Sequence, residues 1–327
     1  MFNNSESRFC RASARQVLIR IFFVFLVLAF FFQLAPADFP LFFGRAEEEE
    51  EEIFIVGKGM TDEDIIQELH QRGLIRNSAA FRLILKIQKW ENQIEPGGYL
   101  LSKNMPALEI AETLVIPPSQ NWVRIPEGLR KEEVASILQL GLNWLRPQRE
   151  DFLQWTKEGY LSPDTYLLPL NWSGNKVAEM LENQFIEKFK EIFGEDPEFD
   201  VITLASMIQR EAANKDEMPL IAGIILNRYQ NNHLLQIDAT LQYALGTPSK
   251  WWPVVWPEDR STQSLYNTYL YRGYPPTPIC SPGAAALEAA INPQPTDYLY
   301  YLHDWNRQIH CAETYRQHLI NIQKYLW

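Results

Sequence analysis

The chain has 327 residues, 46% hydrophobic and 13% aromatic, enough for roughly two packed domains. A formal net charge of −11 and the lack of any basic stripe exclude a nucleic-acid partner. The 3 cysteines form no CxxC pair and the 5 histidines are scattered, so neither a metal nor a cofactor is expected.

Arg8, Arg11, Arg15 and Arg20 precede an unbroken apolar run from Ile21 to Phe32. Residues 17–37 reach the length that crosses a bilayer, with Arg20 snorkelling at the edge. Arginines before the run and glutamates after it put residues 1–16 in the cytoplasm and everything else outside, behind a single N-terminal transmembrane helix. Ala35-Pro36-Ala37 also has the small-x-small form of a cleavage site, so a cleaved signal peptide competes for the same residues. Either way the body is exported. Residues 38–52, ending in the run Glu47 to Glu52, read as a charged, self-repelling linker. Cys280 and Cys311 are the exported cysteines, and whether they form a disulfide is left open.

Ile53 to Val56 reads as a strand, with a turn at Gly57-Lys58-Gly59. Thr61 with Asp64 three residues on resembles a capping box and opens a helix toward Gly73. Helices follow over Ser78 to Lys89 and Pro106 to Leu114, with a short strand after Pro96-Gly97-Gly98-Tyr99. The opening theme then recurs: Val123-Arg124-Ile125 runs through Gly128 into a helix from Lys131 to Leu138. At an offset of 69 residues Gly128 matches Gly59, Val134 matches Ile65 and Leu138 matches Leu69. A strand, a glycine turn and an amphipathic helix suit a carbohydrate-binding module of the LysM kind.

Glu158 to Tyr166 is dense in turn formers and aromatics, a loop that either carries function or makes a tight connection. After a helix from Lys176 to Phe193 comes Leu204-Ala205-Ser206-Met207-Ile208-Gln209-Arg210-Glu211. Leu204, Met207 and Ile208 fall at i, i+3 and i+4 of a buried stripe whose next member, at i+7, is Glu211. A carboxylate on an inward face must find partners or shift its pKa upward, and the shifted form suits a general acid. A glutamate paired with a buried arginine fits the same pattern.

Pro219 sits in the first turn of the next helix, which ends near Asn227-Arg228, and Gly223 permits close approach of a neighbour. Gln236-Ile237-Asp238-Ala239-Thr240 leads into Leu241 to Gly246, and a Trp-rich insert spans Lys250 to Pro257. A helix starts after Ser281-Pro282-Gly283, Tyr298 to Leu302 is a strand by composition, and Glu313 to Leu326 is a final helix.

The ordered motifs REAAN, EMPLIAGIILNR, QIDATLQYALG, YNTYLYRGYPPTPICSPG, LEAAINP and TDYLYYL, with IPEG and EGYLSPDTY upstream, resemble the MltG (YceG-like) endolytic murein transglycosylases. The match is clear from Val123 onward and fainter from Ile53. It implies a single-pass plasma-membrane protein with its catalytic domain outside, cutting nascent peptidoglycan glycan strands internally to leave 1,6-anhydro-N-acetylmuramic acid ends. Cell-wall synthases are the protein partners it suggests. The implied fold is α+β: the transmembrane helix, a small LysM-like module over 53–120, and a mixed catalytic domain over 121–327.

The resemblance selects Glu211 as the catalytic residue. One carboxylate suffices because the 6-hydroxyl of muramic acid replaces the water of a glycoside hydrolase. Gln236, Asp238 and Thr240 match a Q-x-D-P-T motif whose proline is Ala239 here; Asp238 then either steers substrate or caps a helix. Asn267 and Tyr269 match N-T-Y and would bond or stack on a sugar. Asn227 and Arg228 either pair with Glu211 or cap their helix. Two departures from the pattern are Ser162, where phenylalanine is usual, and Arg307 to Ala312, which keeps His310 without the glycines or the following aromatic. The alternatives are a non-catalytic glycan-binding scaffold in cell-wall assembly and a muramidase using water with Asp238 as second carboxylate.

Overall fold

The computed structural model describes residues 51–327. The expected membrane segment over 17–37 and most of the linker lie outside them. Among the described residues no helix is long and apolar enough to cross a membrane. The fold is α+β and forms two compact units, the second beginning at Val123.

In the first unit β1 (Glu51–Val56) pairs antiparallel with β2 (Gly97–Ser102), setting Ile53 opposite Leu100 and Phe54 opposite Tyr99. The strand therefore starts before the expected Ile53. Glu51 and Glu52, read as linker, pair with Ser102 and Leu101, because a shorter β1 would leave the backbone groups at the end of β2 without partners. Helix α1 (Asp62–Gln71) begins at a reciprocal cap: the Thr61 N–H donates to Asp64 Oδ2 at 2.8 Å and the Asp64 N–H donates back to Thr61 Oγ1. Asn77 caps α2 (Ser78–Gln88) by accepting from Ala80 N at 2.9 Å, and α3 is Ala107–Val115. Phe54, Ile65, Leu69, Phe81, Tyr99 and Leu114 fill the core between the paired strands and the helices.

The second unit opens with the end of β3 (Gln120–Ile125), then α4 (Lys131–Gly141), α5 (Arg146–Trp155), β4 (Asp164–Pro169) and α6 (Gly174–Phe193). Gly128 precedes α4 with φ +78°, as Gly59 precedes α1 with φ +88°, a backbone state that glycine adopts without the Cβ penalty. Val123, Ile125, Val134, Leu138, Phe152 and Leu181 form one core. The other core surrounds α7 (Phe199–Glu211), which packs against α8 (Met218–Gln230) and α10 (Ala284–Ile291). Seven consecutive residues of α7, Ile202 to Ile208, are buried. Its two internal hydroxyls are satisfied locally, Thr203 by the Phe199 carbonyl and Ser206 by the Thr203 carbonyl. Between α8 and α10 lie α9 (Asp238–Leu245) and a 3-10 turn (Pro257–Ser261). The chain closes with an antiparallel hairpin of β5 (Tyr300–His303) and β6 (Ile309–Ala312), then α11 (Tyr315–Tyr325).

Strands β4 and β6 and helix α5 add to the elements legible in the sequence. Cys280 and Cys311 are both free thiols; Cys280 is buried and donates to the Ser206 carbonyl at 3.3 Å, so the disulfide left open is not formed.

Candidate active site

Glu211 is the last residue of α7. Ala212 leaves the helix in extended geometry while its N–H still donates to the Ile208 carbonyl. The carboxyl of Glu211 thus stands at the wall of a cavity of about 480 Å³, opposite side chains from α8, α9, β5 and α11. Oε2 accepts a hydrogen bond from the Tyr301 hydroxyl at 2.7 Å, and Oε1 accepts a long one, 3.4 Å, from the Ala239 N–H in the first turn of α9. Burial pushes the Glu211 carboxyl above the usual carboxylate range. The two hydrogen bonds oppose that push, the charge of Asp238 reinforces it, and His303 opposes it. A carboxyl that stays protonated toward neutral pH can deliver a proton to an ether oxygen.

Asp238, the first residue of α9, faces the same cavity, and its Oδ1 accepts from the Tyr269 hydroxyl at 2.5 Å. Burial, together with Asp238, pushes the Tyr269 phenol upward, so it acts as a donor. The two carboxylates are therefore each held by a tyrosine hydroxyl. Arg228 lines the cavity but spends its guanidinium on the Leu234 and Leu299 carbonyls and, at 2.6 Å, on Gln236 Oε1. Gln236 has φ +55° and its N–H donates to the Thr268 carbonyl, a bend that turns the chain into α9.

Of the residues singled out from sequence, Glu211, Arg228, Gln236, Asp238 and Tyr269 line one cavity. The other three do not line it. Asn227 donates to the carbonyls of Thr296 and Tyr298, tying α8 to the segment before β5. Thr240 is fully buried and bonds the Ile237 carbonyl and the Thr268 hydroxyl. Asn267 is fully buried too: its amide donates to the carbonyls of Arg260 and Thr262 and its Oδ1 accepts from Tyr269 N. These three brace the walls. A pairing of Asn227 or Arg228 with Glu211 is not made, because carbonyls and Gln236 take their donors.

Sequence reasoning passed over Tyr301, His303, Glu217 and Arg260. His303 donates or accepts through Nε2 at 3.0 Å from Glu217, a buried carboxylate that also accepts from the Ala213 N–H just past Glu211. The alternation of a strand offered one signal, since Tyr301 and His303 lie two residues apart and so on one face of β5. Loop 158–166 works elsewhere. Glu158 accepts from Lys131 N at the start of α4 and from the Tyr243 hydroxyl at 3.0 Å. Burial, with Glu132 nearby, pushes Glu158 up to about 7. Asp164 bonds the next backbone N–H and Lys188.

The sequence profile of the YceG-like family matches residues 54–324, and the chain belongs to that family. It is 26% identical over 294 residues to a Bacillus subtilis protein named endolytic murein transglycosylase, an alignment covering 79% of this chain and 80% of that one. A protein of the same name from Streptococcus pneumoniae serotype 2 is 23% identical over 320 residues, covering 83% of this chain and 58% of the relative. The crystal structure of a yceG-like protein from Listeria monocytogenes matches with a TM-score of 0.55 at 23% identity, over 84% of this chain and 99% of that one, a likeness of fold.

Proposed function

We propose that this chain is an endolytic murein transglycosylase, a lyase that cuts the bond from N-acetylmuramic acid to N-acetylglucosamine inside peptidoglycan strands. The observation that carries the proposal is the Glu211 carboxyl, desolvated at the cavity wall and oriented by Tyr301. Protonated Glu211 gives its proton to the glycosidic oxygen as the C1–O bond breaks. The muramic acid 6-hydroxyl then closes on C1, and the Glu211 carboxylate takes the hydroxyl proton, which restores the acid and leaves a 1,6-anhydro end. Asp238, held by Tyr269, supplies negative charge for the cationic sugar in between. Residues 17–37 hold the enzyme at the outer side of the plasma membrane, where cell-wall synthases deliver new strands. The strand–turn–helix of the first unit, from β1 through Gly59 into α1, holds glycan in a LysM-like manner.

Mass spectrometry of muropeptides released from uncrosslinked strands by full-length wild type and Glu211→Gln tests the reading. Anhydro-ended internal fragments from wild type and none from the variant are expected; strands bound but uncut by wild type would sink it. The second carboxylate on the cavity, Asp238, favours one rival, a hydrolase in which water is activated there. That enzyme would leave reducing ends.

A further inference from the structure

We infer that Arg260 is a carboxylate receptor at the rim of the cavity, selecting strands by the anionic groups carried on muramic acid; the inference rests on the transglycosylase reading and deepens it. The lining offers few cations that are not already engaged. Arg228 is consumed by carbonyls and Gln236, and His303 faces Glu217. Arg260 differs. Among the described residues its guanidinium makes no hydrogen bond and no ion pair; it lies over the Tyr269 ring, 4.8 Å from the centroid, and is exposed to solvent.

Its backbone is nonetheless fixed. Asn267, fully buried, donates to the Arg260 carbonyl at 3.0 Å and to the Thr262 carbonyl at 2.8 Å. Asp259 secures the start of the same 3-10 turn by accepting from Trp256 N at 2.8 Å. A planar fork of N–H donors is thus presented from a braced loop and stacked on an aromatic face, the arrangement that suits bidentate capture of a carboxylate.

Electrostatics gives the reason for a cation at this place. The Asp238 carboxylate lines the cavity, and the chain as a whole carries −11. A peptidoglycan strand is itself anionic, through the free carboxylates of its stem peptides or, where stems have been removed, through the lactyl carboxylate of muramic acid. Without a compensating charge the strand would approach against repulsion. Tyr269 joins the two functions, because its hydroxyl holds Asp238 while its face carries Arg260.

The test uses the full-length chain with three substrates: uncrosslinked strands bearing stems, the same strands with every carboxylate converted to methylamide, and strands stripped of stems. KM and kcat are measured for wild type, Arg260→Gln and Arg260→Lys, and Kd is measured for each in a Glu211→Gln background. Arg260→Gln is expected to raise KM and Kd for stem-bearing strands by roughly ten- to a hundred-fold, the range of a charge-assisted hydrogen bond, with kcat little changed. On methylamide strands it should match wild type, and Arg260→Lys should fall between the two on charged strands. If stripped strands depend on Arg260 equally, it reads a carboxylate in either position, stem or lactyl; if only stem-bearing strands do, it reads the stem. Equal weakening on charged and blocked strands, or none on either, overturns the inference. A protein that cuts no strand would remove the transglycosylase reading, while the Kd comparison would still decide the role of Arg260.

Discussion

The Tyr301 hydroxyl donates to Oε2 of Glu211 at 2.7 Å, across 90 residues of sequence, and this bond decides which oxygen carries the acid's proton. A carboxyl oxygen that accepts from a phenol is poorly placed to hold the hydrogen itself. The proton is left to Oε1, whose described partner is only the 3.4 Å contact from Ala239 N. Tyr301 is well suited to the task, because burial and the neighbouring Glu211 charge both push its phenol well above its ordinary range and keep it a donor.

Tyr301→Phe should therefore move the pH profile of kcat/KM. The tyrosine bond favours the carboxylate and holds the Glu211 pKa below what burial alone would give. Its loss raises that pKa further, so the alkaline limb, where the acid loses its proton, moves to higher pH. The carboxylate formed at proton transfer also loses a donor. That lowers kcat by about ten-fold for the roughly 1–1.5 kcal/mol of one hydrogen bond. A limb moving to lower pH would contradict this assignment of the tyrosine.

Glu158 links folding to pH in a direction unusual for a carboxylate. Its pKa is raised from 4.5 to about 7, first by burial and then by Glu132. Protonation is thus favoured in the folded state. The stability it contributes is complete below pH 4.5 and is lost as pH rises through about 7, up to about 3 kcal/mol by linkage. Urea denaturation followed by tryptophan fluorescence should give a lower midpoint at about pH 8 than at about pH 5 for wild type. Glu158→Gln, which keeps one oxygen for Lys131 N or the Tyr243 hydroxyl, should flatten that difference. An equally steep dependence in the variant would place the titration elsewhere.

What was legible in the sequence was what local periodicity and capping encode. Thr61 and Asp64 form the box their spacing suggests, and Leu204, Met207 and Ile208 are buried along α7 with Glu211 closing the stripe at a cavity wall. Gly223 is where the Gln294 carbonyl packs against α8, the close approach its missing side chain permits. The partners of Glu211 were not legible. Tyr301 reaches it, and His303 reaches the neighbouring Glu217, through the pairing of β5 with β6, and β6 has no local pattern of its own until Tyr301 stands opposite Cys311. Asn267 misled for a related reason: an amide in a polar motif looks like a sugar ligand until the carbonyls that consume it are in place. Arg260 gave no signal in sequence, because its meaning depends on which neighbouring cations are already paired.

Asn267 should be costly to remove. Asn267→Ala leaves the carbonyls of Arg260 and Thr262 and the N–H of Tyr269 without their partner inside the fold. An expected loss of about 2–3 kcal/mol follows from stranded buried polar groups, read as a lower urea midpoint at unchanged slope. Activity should fall further than stability accounts for, since Tyr269 and Arg260 both depend on this brace. A variant as stable as wild type would mean that water or a relaxed loop replaces the amide.

Asp238→Asn should act on Glu211 in the opposite sense to Tyr301→Phe. The Asp238 charge helps raise the Glu211 pKa, so its removal lowers that pKa and moves the alkaline limb of kcat/KM to lower pH. Asn keeps an oxygen for the Tyr269 hydroxyl, so the geometry of the wall is held while the charge alone changes. Loss of negative charge beside a cationic sugar should lower kcat by roughly ten- to a hundred-fold, within the range of electrostatic stabilisation in an enclosed site. The nature of the product separates this role from general-base catalysis. If Asp238 only stabilises charge, the slow turnover that remains still yields anhydro ends. If Asp238 activates water, wild type yields reducing ends and the variant loses them. Opposite displacements of the limb in the two variants, with anhydro ends in both, would assign the acid to Glu211 and the charge to Asp238.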